Sequence, residues 1–280
     1  MSTLQAPGRT ALPTGPGART PWTGLLLAEW TKIRSVRSTV WSLVAFVVVA
    51  IGLCTLIALV VANQWNKPGP HPEHASILAD PTGAIYGAGF DLGQLALAVL
   101  GVIVITSEYS SGAIRSSLLA VPKRIPMLVA KVVVFGALVF VVSAITVFAV
   151  FFIATTIYHP DFVVTLGQPG VLRATIGGIL YLTVLGLFAM SIGGLIRHTA
   201  GAIATVIGLI LVVPILVSLI PGTIAAHVKA YLPTDAGQLI GQTTQQSGDL
   251  LSPWQGFGVF CLWTVVLLIA GGWLLRRRDA

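Results

Sequence analysis

Residues 108–126, EYSSGAIRSSLLAVPKRIP, form a long polar interruption between two unbroken apolar runs. Within this stretch Ile114, Leu118 and Val121 recur at the spacing of one face of a helix. Pro122 should end that helix, because proline has no backbone N–H and clashes with the preceding turn. The pattern predicts a short amphipathic helix that a soluble partner could grip, and it is equally compatible with a solvated loop at the lipid headgroups.

The composition of the chain is that of a membrane protein. Hydrophobic residues make up 55% of the sequence and charged residues only 9%, whereas roughly a quarter of the residues of a soluble domain are charged. The formal net charge of +7 could suggest nucleic acid as a partner. The basic residues are, however, scattered at the ends of apolar runs, so we interpret them as topology signals and expect no nucleic-acid binding.

Six apolar runs follow the first 40 residues, and each is near the roughly 20 residues that cross a bilayer as a helix. The sequence therefore predicts an all-α, polytopic membrane fold with six transmembrane helices. The predicted spans are about 41–62, 86–106, 127–153, 174–196, 200–220 and 255–275, within a transmembrane domain covering 41–280.

The basic residues predict which loops face the cytoplasm. If the amino terminus is inside, all of the 16 Lys and Arg residues except Lys67, Arg173 and Lys229 lie on the cytoplasmic side. This is the bias expected of cytoplasmic loops. We therefore expect a multi-pass protein with both termini in the cytoplasm.

The amino-terminal region divides into two predicted parts. Residues 1–21 are rich in Pro, Gly, Thr and Ala and lack an apolar core, which predicts a disordered cytoplasmic tail rather than a signal peptide. Residues 22–40 predict an amphipathic helix lying on the inner membrane surface. Its basic residues are Lys32, Arg34 and Arg37.

Glu29 falls inside the apolar stripe of this predicted surface helix. A buried carboxylate is costly unless it is paired. We expect it to be paired, either with Lys32 one turn away or with a basic residue of another segment such as Arg115, although it could instead reach the headgroups.

The segments predicted to lie outside are less informative. Residues 221–254 are semi-apolar and rich in Gly, Gln and Thr, which predicts short external helices that cap a pathway or merely connect two spans. Asp91 lies about one turn inside the outer end of the second span. It either lines a pathway or is a hydrated acid at a helix end.

The sequence contains no complete catalytic or metal-binding motif, since His71 and His74 form an H-x-x-H pair with no evident third ligand. There is no H-E-x-x-H, no G-x-S-x-G and no G-x-x-x-x-G-K-[ST] phosphate loop. Cys54 and Cys261 both lie in apolar runs, so no C-x-x-C site is available. We expect a non-enzymatic chain without a cofactor or metal of its own, and any ATP-driven step requires a separate polypeptide.

Three stretches carry a resemblance to a known family. They are AEWTKIRSVRSTVW at 28–41, TSEYSSGAIRSSLLAVPKRIPMLVAK at 106–131 and YLPTDAGQLI at 231–240. In this order the chain after residue 22 resembles the permease subunits of type 2 ATP-binding-cassette (ABC) transporters, especially the compact actinobacterial ones.

The resemblance implies a function and a set of contact residues. It implies a bacterial plasma-membrane permease, more often an exporter, that pairs with a second copy or a paralogue and docks on separate ATPase subunits holding ATP and Mg²⁺. The cytoplasmic segment 107–126 would couple the two, together with the turn between the fourth and fifth spans. The residues implied are Glu108, Tyr109, Ile114, Arg115, Leu118, Val121, Arg197 and His198.

Two alternatives remain open from the sequence. The chain could be a secondary carrier driven by an ion gradient, or a membrane anchor or sensor that transports nothing. The substrate does not follow from the sequence, because a pathway lined by Val, Leu, Gly and Ala would suit many amphiphiles.

Overall fold

A computed structural model gives the fold and describes residues 22–65, 79–112, 124–158, 164–246 and 248–277. All regular elements in these ranges are helices, as predicted, and none is a strand. The predicted tail 1–21 lies outside the described residues.

The helices are numbered here in chain order. They are α1 Trp22–Ser35, α2 Arg37–Trp65, α3 Pro81–Ser110, α4 Arg124–Ile157, α5 Val171–Ile196, α6 Thr199–Ile207, a π-helical turn Gly208–Val212, α7 Val213–Ser218, α8 Thr223–Ala230, α9 Pro233–Gln238, a 3₁₀ turn Leu239–Gly241, and α10 Pro253–Arg277.

Six stretches within these helices are long and apolar enough to cross a membrane, which confirms the predicted number. They are Arg37–Gln64, Gly89–Ser110, Ile125–Ile157, Val171–Ile196, Thr199–Ser218 and Pro253–Leu275. The fifth is the continuous run of α6, the π-helical turn and α7.

Helices α3 and α5 form the centre of the bundle. Within their apolar windows 61% and 67% of residues are buried, against 22% in the first, fifth and sixth spans. Helix α3 packs against α2 on one side and α5 on the other, and α4 and α10 both pack against α5. The poorly buried spans therefore present their apolar side chains to lipid or to another protein.

Glycines permit the close contacts between the central helices. A β-carbon at Gly101 of α3 would overlap the carbonyl oxygen of Gly186 in α5. A β-carbon at Gly89 would overlap the Cys54 thiol of α2. Small residues let membrane helices approach in this way.

The first helix is shorter than the helix predicted for 22–40. Helix α1 ends at Ser35 and α2 begins at Arg37, so 22–40 is not one helix. The Ser35 hydroxyl donates to the carbonyl of Lys32 at 2.8 Å, and the Thr39 N–H donates to the carbonyl of Val36 in a new first turn. Serine competes with helical hydrogen bonds in this way, and the boundary falls beside it.

The second spanning helix is longer than predicted and includes the start of the proposed coupling segment. Helix α3 continues to Ser110 and closes at Gly112, whose φ of 69° is left-handed, a common helix ending. Glu108 and Tyr109, the first contact residues of the coupling segment 107–126 that the resemblance implies, belong to the last turns of α3. The rest of the segment, 113–123, lies outside the described residues.

The fifth span contains a change of helical geometry. The π-helical turn Gly208–Val212 precedes Pro214, which lies in the first turn of α7. Proline removes a backbone donor from the helix interior, and a π-helical turn accommodates the loss. The fifth span is therefore irregular around Pro214.

Helices α8 and α9 and the 3₁₀ turn cover one end of the bundle, and these are the short helices predicted for 221–254. We call this the cap end. It is tied down by Arg173 of α5, which donates to the carbonyls of Gln242 at 2.7 Å and Thr243 at 2.9 Å. Helix α1 and the far ends of α3, α5 and α10 lie at the opposite end, so the described chain begins and ends on one side.

Candidate functional site

Glu29 occupies the buried face of α1. Leu25, Glu29 and Ile33 are spaced four residues apart and are the buried residues of this helix. This stripe faces α4, so the apolar face of α1 carries a carboxylate into a helix interface. The predicted position of Glu29 in the stripe is confirmed.

Glu108 and Lys131 bring charge to the same place from two spanning helices. Glu108 lies near the end of α3, and Lys131 lies about 9 Å along α4 from Ile125, at roughly 1.5 Å of rise per residue. Both are buried, with 8% and 2% of their surface exposed. An ionisable side chain so far inside an apolar helix requires a partner.

The four side chains form one network of ion pairs. Lys131 Nζ donates to Glu29 Oε2 at 2.5 Å and to Glu108 Oε1 at 2.7 Å. Lys32 Nζ donates to Glu29 Oε1 at 2.8 Å and to Glu108 Oε1 at 3.3 Å. We call Glu29, Lys32, Glu108 and Lys131 the charge cluster. The prediction that Glu29 is paired is confirmed, and Lys32, one of the partners predicted for it, is among its partners. The Arg115 alternative lies outside the described residues.

The cluster carries two positive and two negative charges, so it is neutral as a group. Each buried ion would cost several kcal/mol to transfer from water if it were alone. Mutual pairing offsets that cost, and deletion of one member leaves another uncompensated. The cluster therefore fixes where α1, α3 and α4 lie relative to one another rather than adding much net stability.

Lys32 is the exposed member of the cluster, with 36% of its side chain accessible. Partial burial lowers its pKa, but the nearby carboxylates of Glu29 and Glu108 raise it more, and the net pKa is above the ordinary value. Lys32 therefore stays charged throughout the physiological range.

One oxygen of the cluster has no hydrogen-bond partner. Glu108 Oε2 is buried and unpaired among the described residues. Glu108 and Lys131 border both a cavity of about 20 Å³ between α3, α4, α5 and α10 and a groove of about 320 Å³ beside α1. A cavity of 20 Å³ is enough for one water molecule, which could satisfy this oxygen.

The turn between α5 and α6 lies at the same end of the bundle. The Arg197 guanidinium lies 5.1 Å from the centre of the Tyr109 ring, and its Nη2 donates to the Leu274 carbonyl at 3.3 Å. Arg197 has a left-handed φ of 59°, which is strained for a residue with a β-carbon. His198 caps α6 by accepting from the Gly201 N–H at 3.2 Å.

The structure brings together some of the predicted site residues and not others. Glu29, Lys32 and Glu108 form the charge cluster, and Tyr109 contacts Arg197. Arg34 and Arg37 are exposed. Asp91 lies at the cap end, where it accepts from Gln238 Nε2 at 3.2 Å. Ile114, Arg115, Leu118 and Val121 lie outside the described residues.

Sequence reasoning missed the part that Lys131 takes in the site. We interpreted Lys131 only as a cytoplasmic topology signal. A signal was present, because Lys131 is surrounded by apolar residues on both sides in 125–157 and such a residue needs a counter-ion. The position of that counter-ion depends on how α1 packs.

The chain was compared with known proteins. No protein-family model matches it, and no curated protein matches it.

Proposed function

We propose that this chain is the transmembrane permease subunit of an ATP-driven ABC transporter, and an exporter. One observation supports this best. Lys131 joins Glu29 of α1 to Glu108 near the end of α3, the helix that the segment 113–123 follows in the sequence. Motion applied to that segment would therefore be shared by a surface helix and two spanning helices.

The proposed mechanism is mechanical. Separate ATPase subunits contact the segment that carries Ile114, Leu118 and Val121, together with the turn at Arg197 and His198. Closing on ATP, they push α3 through its end at Ser110, and the charge cluster makes α1 and α4 follow. ATP and Mg²⁺ bind to the partner subunits.

The free energies involved are of the right size. Shifting a two-state equilibrium from 1:99 to 99:1 takes about 5.5 kcal/mol. Burying one large apolar side chain contributes roughly 1.5–3 kcal/mol. Burial of Ile114, Leu118 and Val121 in a partner could therefore supply a contact strong enough to transmit the change, although association costs reduce the sum.

A second permease copy or a paralogue completes the proposed transporter. The first, fifth and sixth spans are each only 22% buried, so they offer apolar surface both to the bilayer and to another subunit. In this arrangement the end of the bundle that carries the charge cluster faces the cytoplasm of a bacterial cell, and α1 lies on the inner membrane surface.

Copurification tests the proposal. The tagged chain is purified from its own cells in mild detergent, and copurifying chains are searched for a phosphate-loop ATPase. We expect the wild type to retain such a chain and the variant Ile114→Asp/Leu118→Asp to lose it, because two charges on the apolar face prevent its burial.

The matched control is Ser116→Asp/Ala120→Asp, which adds the same charge at the same spacing on the opposite face of the predicted helix and should retain the ATPase. If the Ile114→Asp/Leu118→Asp variant kept its ATPase, the proposed contact would be wrong.

A secondary carrier is a second candidate, since Glu108 and Lys131 are ionisable groups within spanning segments, as in many ion-coupled carriers. Transport that followed an ion gradient without ATP would favour it. An ATPase partner with no substrate-stimulated turnover would instead favour an anchor or sensor.

A further inference from the structure

An open apolar groove lies between the first turns of α4 and the last turns of α10. It has a volume of about 420 Å³, and it is lined on one side by residues of α4 between Ile125 and Val132 and on the other by residues of α10 between Leu268 and Trp273. The lining residues are all hydrophobic except for one glycine, Gly272. The groove exists because α4 and α10 both pack against α5, which leaves a furrow between them on the surface of the bundle.

Gly272 keeps the groove open. A β-carbon at this position would lie 3.5 Å from the side chains of Ile125 and of Leu128 on the facing helix. This is ordinary van der Waals contact, so a larger side chain at residue 272 would occupy the groove itself. The same distances show that the start of α4 and the end of α10 lie side by side, at the same end of the bundle.

The length of the groove matches the depth of one leaflet of a bilayer. Val132 is eight residues after the start of α4 at Arg124, and Leu268 is eight residues before Arg276 of α10. At roughly 1.5 Å of rise per residue the groove therefore extends about 12 Å along each helix, and half of the hydrocarbon core of a bilayer is about 15 Å. Trp273, which is 52% exposed, lies at the outer end of the groove, and tryptophan is enriched where membrane meets water.

Both helices carry positive charge where the groove ends. Arg124 is the first residue of α4, and Arg276 and Arg277 are the last two residues of α10. The adjoining residues of the sequence add one further net positive charge; they are Lys123, Arg278 and Asp279. The charge cluster is neutral as a group and does not offset this charge. Basic residues at the membrane end of a furrow between spanning helices attract anionic lipid headgroups.

We propose that the groove holds one acyl chain of an anionic phospholipid, whose headgroup lies at the positively charged ends of α4 and α10. A second copy of this chain fits less well, because a symmetric contact through the groove would bring the same positive helix ends together. The inference goes beyond the proposed function, since lipid binding here requires neither an ATPase nor a particular orientation of the bundle in the membrane.

Native mass spectrometry of the full chain, released from detergent, tests the proposal by counting bound lipids. The probes are phosphatidylglycerol and phosphatidylcholine with the same palmitoyl and oleoyl chains, so that only the headgroup charge differs. We expect the first phosphatidylglycerol to bind at least about tenfold more tightly than the first phosphatidylcholine, because basic residues near the membrane surface favour anionic lipid. Equal binding of the two lipids would overturn the proposal.

Removing the charge should remove the preference. Arg276→Gln/Arg277→Gln should weaken the first phosphatidylglycerol at least about tenfold and leave phosphatidylcholine unchanged. The matched control is Arg34→Gln/Arg37→Gln, which removes the same charge from exposed positions at the same end of the bundle and should keep the preference. An equal loss in both double variants would mean that the lipid responds only to overall surface charge, and it would contradict the site.

Filling the groove should remove the tight site itself. Gly272→Leu should abolish the first, tight phosphatidylglycerol step, because the new side chain takes the place of the acyl chain. Gly258→Leu is the matched control on the same helix, since nothing lies within 4 Å of a β-carbon there, and it should retain that step. Unchanged binding in Gly272→Leu would contradict the site. A dimer that Gly272→Leu converts to a monomer with its lipid preference intact would assign the groove to a second copy and overturn the proposal.

Discussion

At the scale of a single residue, Lys131 combines an unfavourable burial of charge with the carboxylates that offset it. Its ammonium lies inside an apolar helix with 2% of the residue exposed, and two carboxylates lie within 2.7 Å of it. A buried ion pair of this kind is weak evidence for added stability, but removing one of its members strongly destabilises the folded protein. The side chain therefore specifies an arrangement of helices more than it strengthens it.

Lys131→Met should destabilise the protein by about 3–5 kcal/mol, because it leaves the buried carboxylates of Glu29 and Glu108 without their main partner. Unfolding by denaturing detergent, followed by circular dichroism, measures the change. The double variant Glu108→Gln/Lys131→Met should recover part of the loss, since one uncompensated charge is also removed. A single variant as stable as the wild type would show that the cluster is not buried as described.

Two substitutions at Arg197 distinguish the effect of backbone strain from the effect of its side-chain contacts. Arg197→Ala should lose the Tyr109 and Leu274 contacts and keep the strained φ of 59°. Arg197→Gly loses the same contacts but relieves the strain, so it should be more stable than Arg197→Ala by about 1 kcal/mol. Thermal unfolding of the two variants in the same detergent makes the comparison. The opposite order would mean that residue 197 is not left-handed.

At the scale of helices, the existence of the elements was predictable and their ends were not. The six apolar runs predicted six spans, because a segment that crosses a bilayer as a helix satisfies its own backbone hydrogen bonds and needs about 20 residues. The ends at Ser35 and Gly112 depend on a side chain that competes for a carbonyl and on a left-handed glycine. Hydropathy does not register either feature.

One part of the charge cluster could be predicted from the sequence and another could not. The need of Glu29 for a partner followed from its place in an apolar stripe. The identity of Lys131 as that partner did not, because the two residues are 102 positions apart and meet only when α1 packs on α4.

The packing of α3 on α5 offers a test of the central helix pair. Gly101→Ala should destabilise the protein by about 1–3 kcal/mol, because the added methyl group would overlap the backbone carbonyl of Gly186. Gly52→Ala in α2 is the matched control, since nothing lies within 4 Å of a β-carbon there. It should be neutral or stabilising by up to about 1 kcal/mol. Equal effects of the two substitutions on unfolding would argue against this close approach.

At the scale of the whole molecule, the two ends of the bundle differ in kind. One end carries the charge cluster, the start of α1 and the turn at Arg197. The other is closed by α8, α9 and the 3₁₀ turn over a polar cavity. The proposed function assigns the first end to the cytoplasm, where an ATPase could reach it, and the second to the outside. This assignment is the claim on which the proposed mechanism depends.

Cysteine labelling in intact cells tests that claim most directly. Ser116→Cys and Thr244→Cys are made singly in a background without Cys54 and Cys261, and a membrane-impermeant maleimide is added before or after permeabilisation. We expect Thr244→Cys to react from outside in intact cells, and Ser116→Cys to react only once the membrane is opened. Labelling of Ser116→Cys in intact cells would place the coupling segment outside and contradict the proposed mechanism.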